Sequence, residues 1–174
     1  MIHDFWEKAK TFHGHECPGL AVGVKVSQAV MEKMGVNPAC DEELVCITES
    51  DACGVDAIQA LLGCTMGKGN LICKPTGKQA FTFIDRKTGR GMRFYLKAKR
   101  SGMPREESIS YLLNAPVDDI FECRAVEIPV PEPARIFSSI ACETCGEFAP
   151  EHKIRLQQGK RVCLDCFREY TRGW

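Results

Sequence analysis

The sequence carries no net charge: 23 lysines and arginines are matched by 23 aspartates and glutamates over 174 residues. With no overall field, composition does not draw the chain to nucleic acid or to an anionic bilayer. It has no apolar stretch long enough to span a membrane. Its first ten residues place Asp4 and Glu7 where a secretory leader needs a basic segment and then an apolar one. The expected location is the cytoplasm, with no membrane partner. No internal repeat is evident. Acidic residues are missing locally as well, since eight basic residues and no acidic one lie between Arg86 and Arg105. A solvated hairpin face explains that run most simply, with an anion-binding surface as the sharper reading.

Cysteine is abundant. Eleven occur, an odd number, and thiols stay reduced in the cytosol, so metal or thiolate chemistry explains them better than disulfides. They are grouped unevenly, and the grouping follows the organisation of the chain.

Phe5, Trp6 and Ala9 at helical spacing predict a first helix over 1–11, closed by Gly14. Pro18 suits a first helical position and Gly35 with Asn37-Pro38 a stop, so a second helix is expected over 18–34. Strands are expected at 43–48, 70–73, 79–84, 92–97 and 122–128, and further helices at 53–62 and 104–114; Asp85–Gly89 reads as the turn of a hairpin. The order α-α-β-α-β-β-β-α-β implies an α+β core, 1–128, with a small mixed or antiparallel sheet. Pro129, Pro131 and Pro133 then form a stiff linker over 129–135. A small C-terminal zinc-finger domain is expected over 136–174.

In that domain Cys142-Glu-Thr-Cys145 and Cys163-Leu-Asp-Cys166 are separated by seventeen residues. Two such turns let four thiolates meet at one tetrahedral ion, and Gly146 permits the tight turn after the first pair. So short a segment cannot build a sufficient core, so the metal supplies much of its folding free energy. The expected cofactor is one structural zinc on Cys142, Cys145, Cys163 and Cys166. Six basic against five acidic residues over 142–174 support nucleic-acid binding only weakly; protein contacts or dimer assembly suit the finger at least as well.

The core holds a second group. In Phe-His13-Gly-His15-Glu-Cys17-Pro18, an extended run into the helix puts His13, His15 and Cys17 on one side. Cys17 would cap the helix that Pro18 opens, and Cys53 would open another, where unpaired N–H groups favour a thiolate. With His15 these thiols make a first shell for a soft or borderline transition metal. Asp56 would be a supporting acceptor or a base toward water on that metal. A fourth protein ligand such as His13 would close the site. The same residues also suit a bland arrangement, with His15 capping a backbone group and both cysteines packed as small apolar residues. Spacing leaves both readings open. Gly63–Gly69 is one residue short of a phosphate loop and follows a helix, so it is read as a plain loop.

The stretch Gly14-His15-Glu-Cys17-Pro-Gly-Leu-Ala-Val-Gly23 resembles the signature of the E-subunit family of formylmethanofuran dehydrogenase. Cys53-Gly-Val-Asp56-Ala-Ile-Gln59, Gly67-Lys-Gly-Asn70-Leu71 and Gly77-Lys-Gln-Ala-Phe-Thr-Phe83 match in order and spacing. The resemblance covers about residues 10 to 128. It implies an α+β core, often in intertwined homodimers, with His15, Cys17 and Cys53 as a metal or active site. The finger is similar to those some members append. The implied function is a metal-binding accessory or small enzyme in one-carbon or molybdenum/tungsten-linked redox metabolism, with catalytic roles for His15, Cys17 and Cys53, to which the reading of the residues themselves adds Asp56. A molybdenum or tungsten dehydrogenase complex is the implied partner. The alternative is a metal-sensing or transcription-related regulator acting through its finger. The helix bearing Phe5 and Trp6, with the proline linker, suits an exchange of elements between protomers.

Overall fold

The computed structural model describes residues 2–97 and 102–173; Lys99 and Arg100 of the basic run lie outside the described residues. The chain divides after Ala134 into two compact units.

The first unit runs α1 (Ile2–His13), α2 (Pro18–Met34), β1 (Leu44–Thr48), α3 (Gly54–Leu62), β2 (Leu71–Cys73), β3 (Ala80–Asp85), β4 (Gly91–Leu96), α4 (Arg105–Asn114), α5 (Val117–Ile120) and β5 (Phe121–Val126). The expected order is found, with one addition. The four residues of α5 are too few to show a period in sequence. Among the described residues, no helix is long and apolar enough to cross a membrane.

Helix α2 is the central element. Leu20, Ala21, Val22, Val24, Val26, Ala29 and Val30 are all buried, so most of its circumference faces the interior, and only its last turn, with Glu32 and Lys33, reaches solvent. Its valines are mediocre helix formers, but burial against neighbouring elements outweighs that preference. Gly35 ends it in the left-handed conformation, φ 68°, with its N–H on the Met31 carbonyl. Trp6 of α1 is buried in this same core.

The sheet order is β2-β1-β3-β4-β5, parallel between β1 and β2 and antiparallel elsewhere. The register puts Phe81, Phe83, Phe94 and Phe121 on the face that meets the helices. Phe94 stands edge-on to Phe83 and Phe121, with centroids 5.9 and 6.4 Å apart. Arg93 on the other face is paired with Glu49 at 2.7 Å.

The Gly63–Asn70 stretch has a structural use. Lys68 Nζ donates to the Ala39 carbonyl at 3.1 Å, so its ammonium is occupied inside the fold. The amide nitrogen of fully buried Asn70 donates to the carbonyls of Leu44 (2.9 Å), Asp41 (3.2 Å) and Gly63 (3.2 Å), while its oxygen accepts from Thr65 N–H at 2.9 Å. Asn70→Ala would leave several buried backbone groups unpaired. We expect a loss of about 2–4 kcal/mol, readable by urea unfolding; a loss within experimental error would show that the loop repacks without it.

The proline segment is fastened to the first unit. Prolines cannot donate to a strand ladder, but their carbonyls remain available. Arg86 donates to the Pro131 carbonyl and to that of Glu132 at 3.1 Å, while the Glu42 carboxylate accepts the Ala134 N–H at 3.1 Å. The expected spacer is therefore anchored as far as Ala134.

The second unit holds two hairpins, β6 (Ser139–Ala141) with β7 (Phe148–Pro150), and β8 (Ile154–Gln157) with β9 (Lys160–Cys163). Gln158 and Gly159, both with positive φ, make the two-residue turn of the second. Of the described residues from 135 onward, only Cys142 and Val162 are buried.

Candidate metal centres

In the second unit the sulfurs of Cys142, Cys145, Cys163 and Cys166 lie within 4.8 Å of one another. Those of Cys145 and Cys163 are 3.9 Å apart, close to the roughly 3.8 Å that a tetrahedral ion with about 2.3 Å metal–sulfur bonds imposes. Gly146, at φ 79°, turns the chain after the first pair and returns its N–H to the Cys142 carbonyl at 2.9 Å. The N–H groups of Thr144 and Cys163 point at Cys142 Sγ at 3.5 and 3.3 Å. Backbone N–H groups of Cys145, Cys163 and Thr144 lower the Cys142 thiol to about 6. The neighbouring sulfurs of Cys163 and Cys145 push Cys166 up to about 12. Four sulfurs this close cannot all lose protons unless a cation is among them, so the donor set fits a closed zinc site.

The core group is built by three helix ends. His13 does not lie on an extended run, as the sequence suggested; it is the last residue of α1. Gly14, at φ 85°, reverses the chain there, a conformation that favours glycine. The reversal folds His15 back so that its ring centroid is 4.3 Å from that of His13. The ligand atoms of His13, His15 and Cys17 thereby come within 4.8 Å of one another. Cys17 is the N-cap of α2, and its sulfur accepts the Leu20 N–H at 3.2 Å.

Cys53 stands at the start of α3 as expected, but without the sulfur cap that Cys17 makes on α2. Its backbone is already helical, φ −46° and ψ −27°, and its sulfur takes no capping bond. Burial, then the adjacent Cys17 thiol, push its own thiol up. Cys53 is not one of the converging trio, but it stands beside it. A Cβ on Gly19 would lie 3.7 Å from Cys53 Sγ and 3.8 Å from Cys17 Sγ. This juxtaposition depends on the crossing of α2 and α3. A Cβ at Gly23 would sit 2.2 Å from the Gly54 carbonyl oxygen and 2.7 Å from Gly54 Cα, so the two backbones touch where neither helix has a side chain.

Asp56 is engaged on both oxygens: Oδ2 meets His13 Nδ1 at 2.7 Å, and Oδ1 accepts from Gln59 Nε2 at 3.4 Å. A carboxylate on Nδ1 fixes the ring and leaves Nε2 free, the pairing that metal-binding histidines use. His13 Nε2 is 3.9 Å from Cys17 Sγ; a shared tetrahedral ion would set them about 3.6 Å apart. The residues therefore fit a transition metal. Asp56 positions His13 and is not a free base. A cavity of about 380 Å³ opens beside the group, lined by His13, Cys53 and Asp56 together with Thr48, Met66 and Leu71. The sequence pattern points to His13 only as a further ligand and gives no direct sign of this cavity. The four-residue spacing of Gly19 and Gly23 was the available signal of a close helix approach.

Comparison with known proteins follows the two units. Residues 12–126 match the family described as "FmdE, Molybdenum formylmethanofuran dehydrogenase operon". Residues 135–172 match the "Prokaryotic dksA/traR C4-type zinc finger". A "Probable S-adenosyl-L-methionine-binding protein" of Archaeoglobus fulgidus is 32% identical over 196 aligned residues, covering 94% of this chain and 52% of the relative. The chain thus spans about half the length of that relative. A crystal structure of a tungsten formylmethanofuran dehydrogenase FmdE-like protein from Syntrophus aciditrophicus superposes with a TM-score of 0.72 at 25% identity, covering 95% of this chain and 91% of that one.

Proposed function

The chain belongs to the FmdE family, and from that premise we propose that its core holds a transition metal on His13, His15 and Cys17, with Cys53 as the adjoining thiol. The observation that carries this reading is the convergence of those three ligand atoms, with Asp56 fixing the His13 ring. Bound there, the metal would supply a Lewis-acid or redox centre at the wall of the cavity. His13 and His15 would bind it as neutral imidazoles, and Cys17 as a thiolate whose sulfur already takes the Leu20 N–H. Asp56 holds the His13 ring through Nδ1, and Met66 and Leu71 give the cavity apolar side chains on its wall. The biological role we propose is a metal-dependent accessory or small enzyme in one-carbon or molybdenum/tungsten-linked redox metabolism.

The test is metal content in the full chain after reconstitution. Two equivalents are expected in the parent, and one in Cys17→Ser and His15→Ala. Asp56→Asn should keep the second metal with about ten- to a hundred-fold weaker affinity. A parent that takes up only the finger's zinc would end this proposal.

Two observations favour other readings. The match of residues 135–172 to the dksA/traR type supports a metal-responsive regulator acting through the finger. The name of the Archaeoglobus relative supports binding of S-adenosyl-L-methionine, for which the cavity beside Asp56 is the available space. Equilibrium dialysis against S-adenosyl-L-methionine, with and without the core metal, separates this last reading from the first.

A further inference from the structure

We infer that Arg105, far along the chain in α4, is a positioning residue for the core metal ligands; this rests on the metal reading above. The loop from Gly14 to Cys17 carries two of the three converging ligands and has little backbone support of its own. Gly14 N–H closes α1 on the Lys10 carbonyl at 2.8 Å, and Ala21 N–H opens α2 on the Cys17 carbonyl at 3.1 Å. Between these points the loop is held from outside. The Arg105 guanidinium donates to the carbonyl of Glu16, the peptide that joins His15's neighbour to Cys17. Lys10 Nζ holds the Glu16 carboxylate at 2.9 Å.

Helix formation does not explain an arginine at this place. Arg105 is the first residue of α4, where the helix dipole disfavours a cation and favours the two glutamates that follow. Its guanidinium instead serves the ligand loop. Helix α4 packs on the core through Ser108, Ile109, Leu112 and Leu113, while Arg105, Glu106 and Glu107 of its first turn are exposed. Its other end is held by Lys25, buried in α2, whose Nζ donates to the Leu113 carbonyl at 3.2 Å. The helix is therefore fixed to the core from Ser108 to Leu113, and its exposed first turn is tied to the ligand loop through Arg105. If Arg105 holds the loop in the geometry that binds metal, linkage requires that metal in turn stabilises the start of α4.

The experiment uses the full chain with zinc in the finger, titrated with Co²⁺ and followed by the thiolate-to-cobalt absorption band. Arg105→Ala should weaken cobalt binding about ten-fold and alter the band, with the finger's zinc retained. Arg105→Lys, which still donates to the carbonyl, should recover most of the loss. Hydrogen exchange should slow at the first turn of α4 when cobalt is added to the parent, and not in Arg105→Ala. An Arg105→Ala variant that binds cobalt as tightly as the parent, with the same band, overturns the inference while leaving the core metal in place. A parent that binds no cobalt outside the finger overturns the metal reading and this inference with it.

Discussion

Cys142→Ser will release the finger's zinc and unfold residues 135–174, while residues 2–134 keep their thermal transition. Cys142 is the buried sulfur of the four, and the N–H groups of Thr144 and Cys163 converge on it. No apolar core can take over, because Val162 is the only other buried residue among those described in the unit. Structural zinc contributes on the order of 10–16 kcal/mol to such modules, far more than two short hairpins gain by pairing. Limited proteolysis with zinc analysis reads the outcome: the variant should lose one equivalent and be cut within the second unit. Acid should act in the same direction. Cys142 is lowered to about 6, so its thiolate persists above that pH, and zinc affinity should weaken further as pH falls through it. A variant that resists protease and keeps its zinc would mean that the four thiolates are not the ligands.

Gly23→Ala should damage the first unit and its metal site together. The new methyl would fall 2.2 Å from the Gly54 carbonyl oxygen and 2.8 Å from Ala57 Cβ. The first is backbone, which cannot rotate away. Helix α3 must move off α2, at a cost of at least about 1–3 kcal/mol for overpacking. The shift carries Cys53 and Asp56, which are the residue before α3 and its third residue. Cys53 would leave Cys17, and Asp56 would leave His13. We expect a lowered midpoint in urea and loss of the second metal, with the finger's zinc intact. Gly35→Ala serves as control, because space around that position is open, although its φ of 68° carries a modest strain. Should Gly23→Ala keep both stability and core metal, the close crossing is not what aligns the site.

Much of this was legible along the chain because it is local. Pro18 bounds α2 at its start by a fixed φ and a missing N–H, and Gly35 at its end by its freedom to take a left-handed φ. Asp85–Gly89 makes its hairpin turn with its own side chains, Thr88 Oγ1 donating to Asp85 Oδ2 at 2.7 Å. The finger is legible for the same reason: two short turns with fixed spacing bring four sulfurs to a point whose geometry the ion dictates. The core site was only half legible. Its residue types were visible between His13 and Cys17, but an extended run was expected where α1 continues through His13 and Gly14 reverses the chain.

Local chemistry was therefore enough for the helices that their end residues delimit, the hairpin about Asp85–Gly89, and the four thiolates of the finger. Each depends on contacts within a few residues or on two repeated turns. Long-range packing was needed to bring Asp56 to His13, to stand Cys53 beside Cys17 without capping its helix, and to reach the Glu16 carbonyl with Arg105. Those pairings join residues 36 to 89 positions apart. They follow from how closely α2 and α3 cross and where α4 is anchored, neither of which any local pattern encodes.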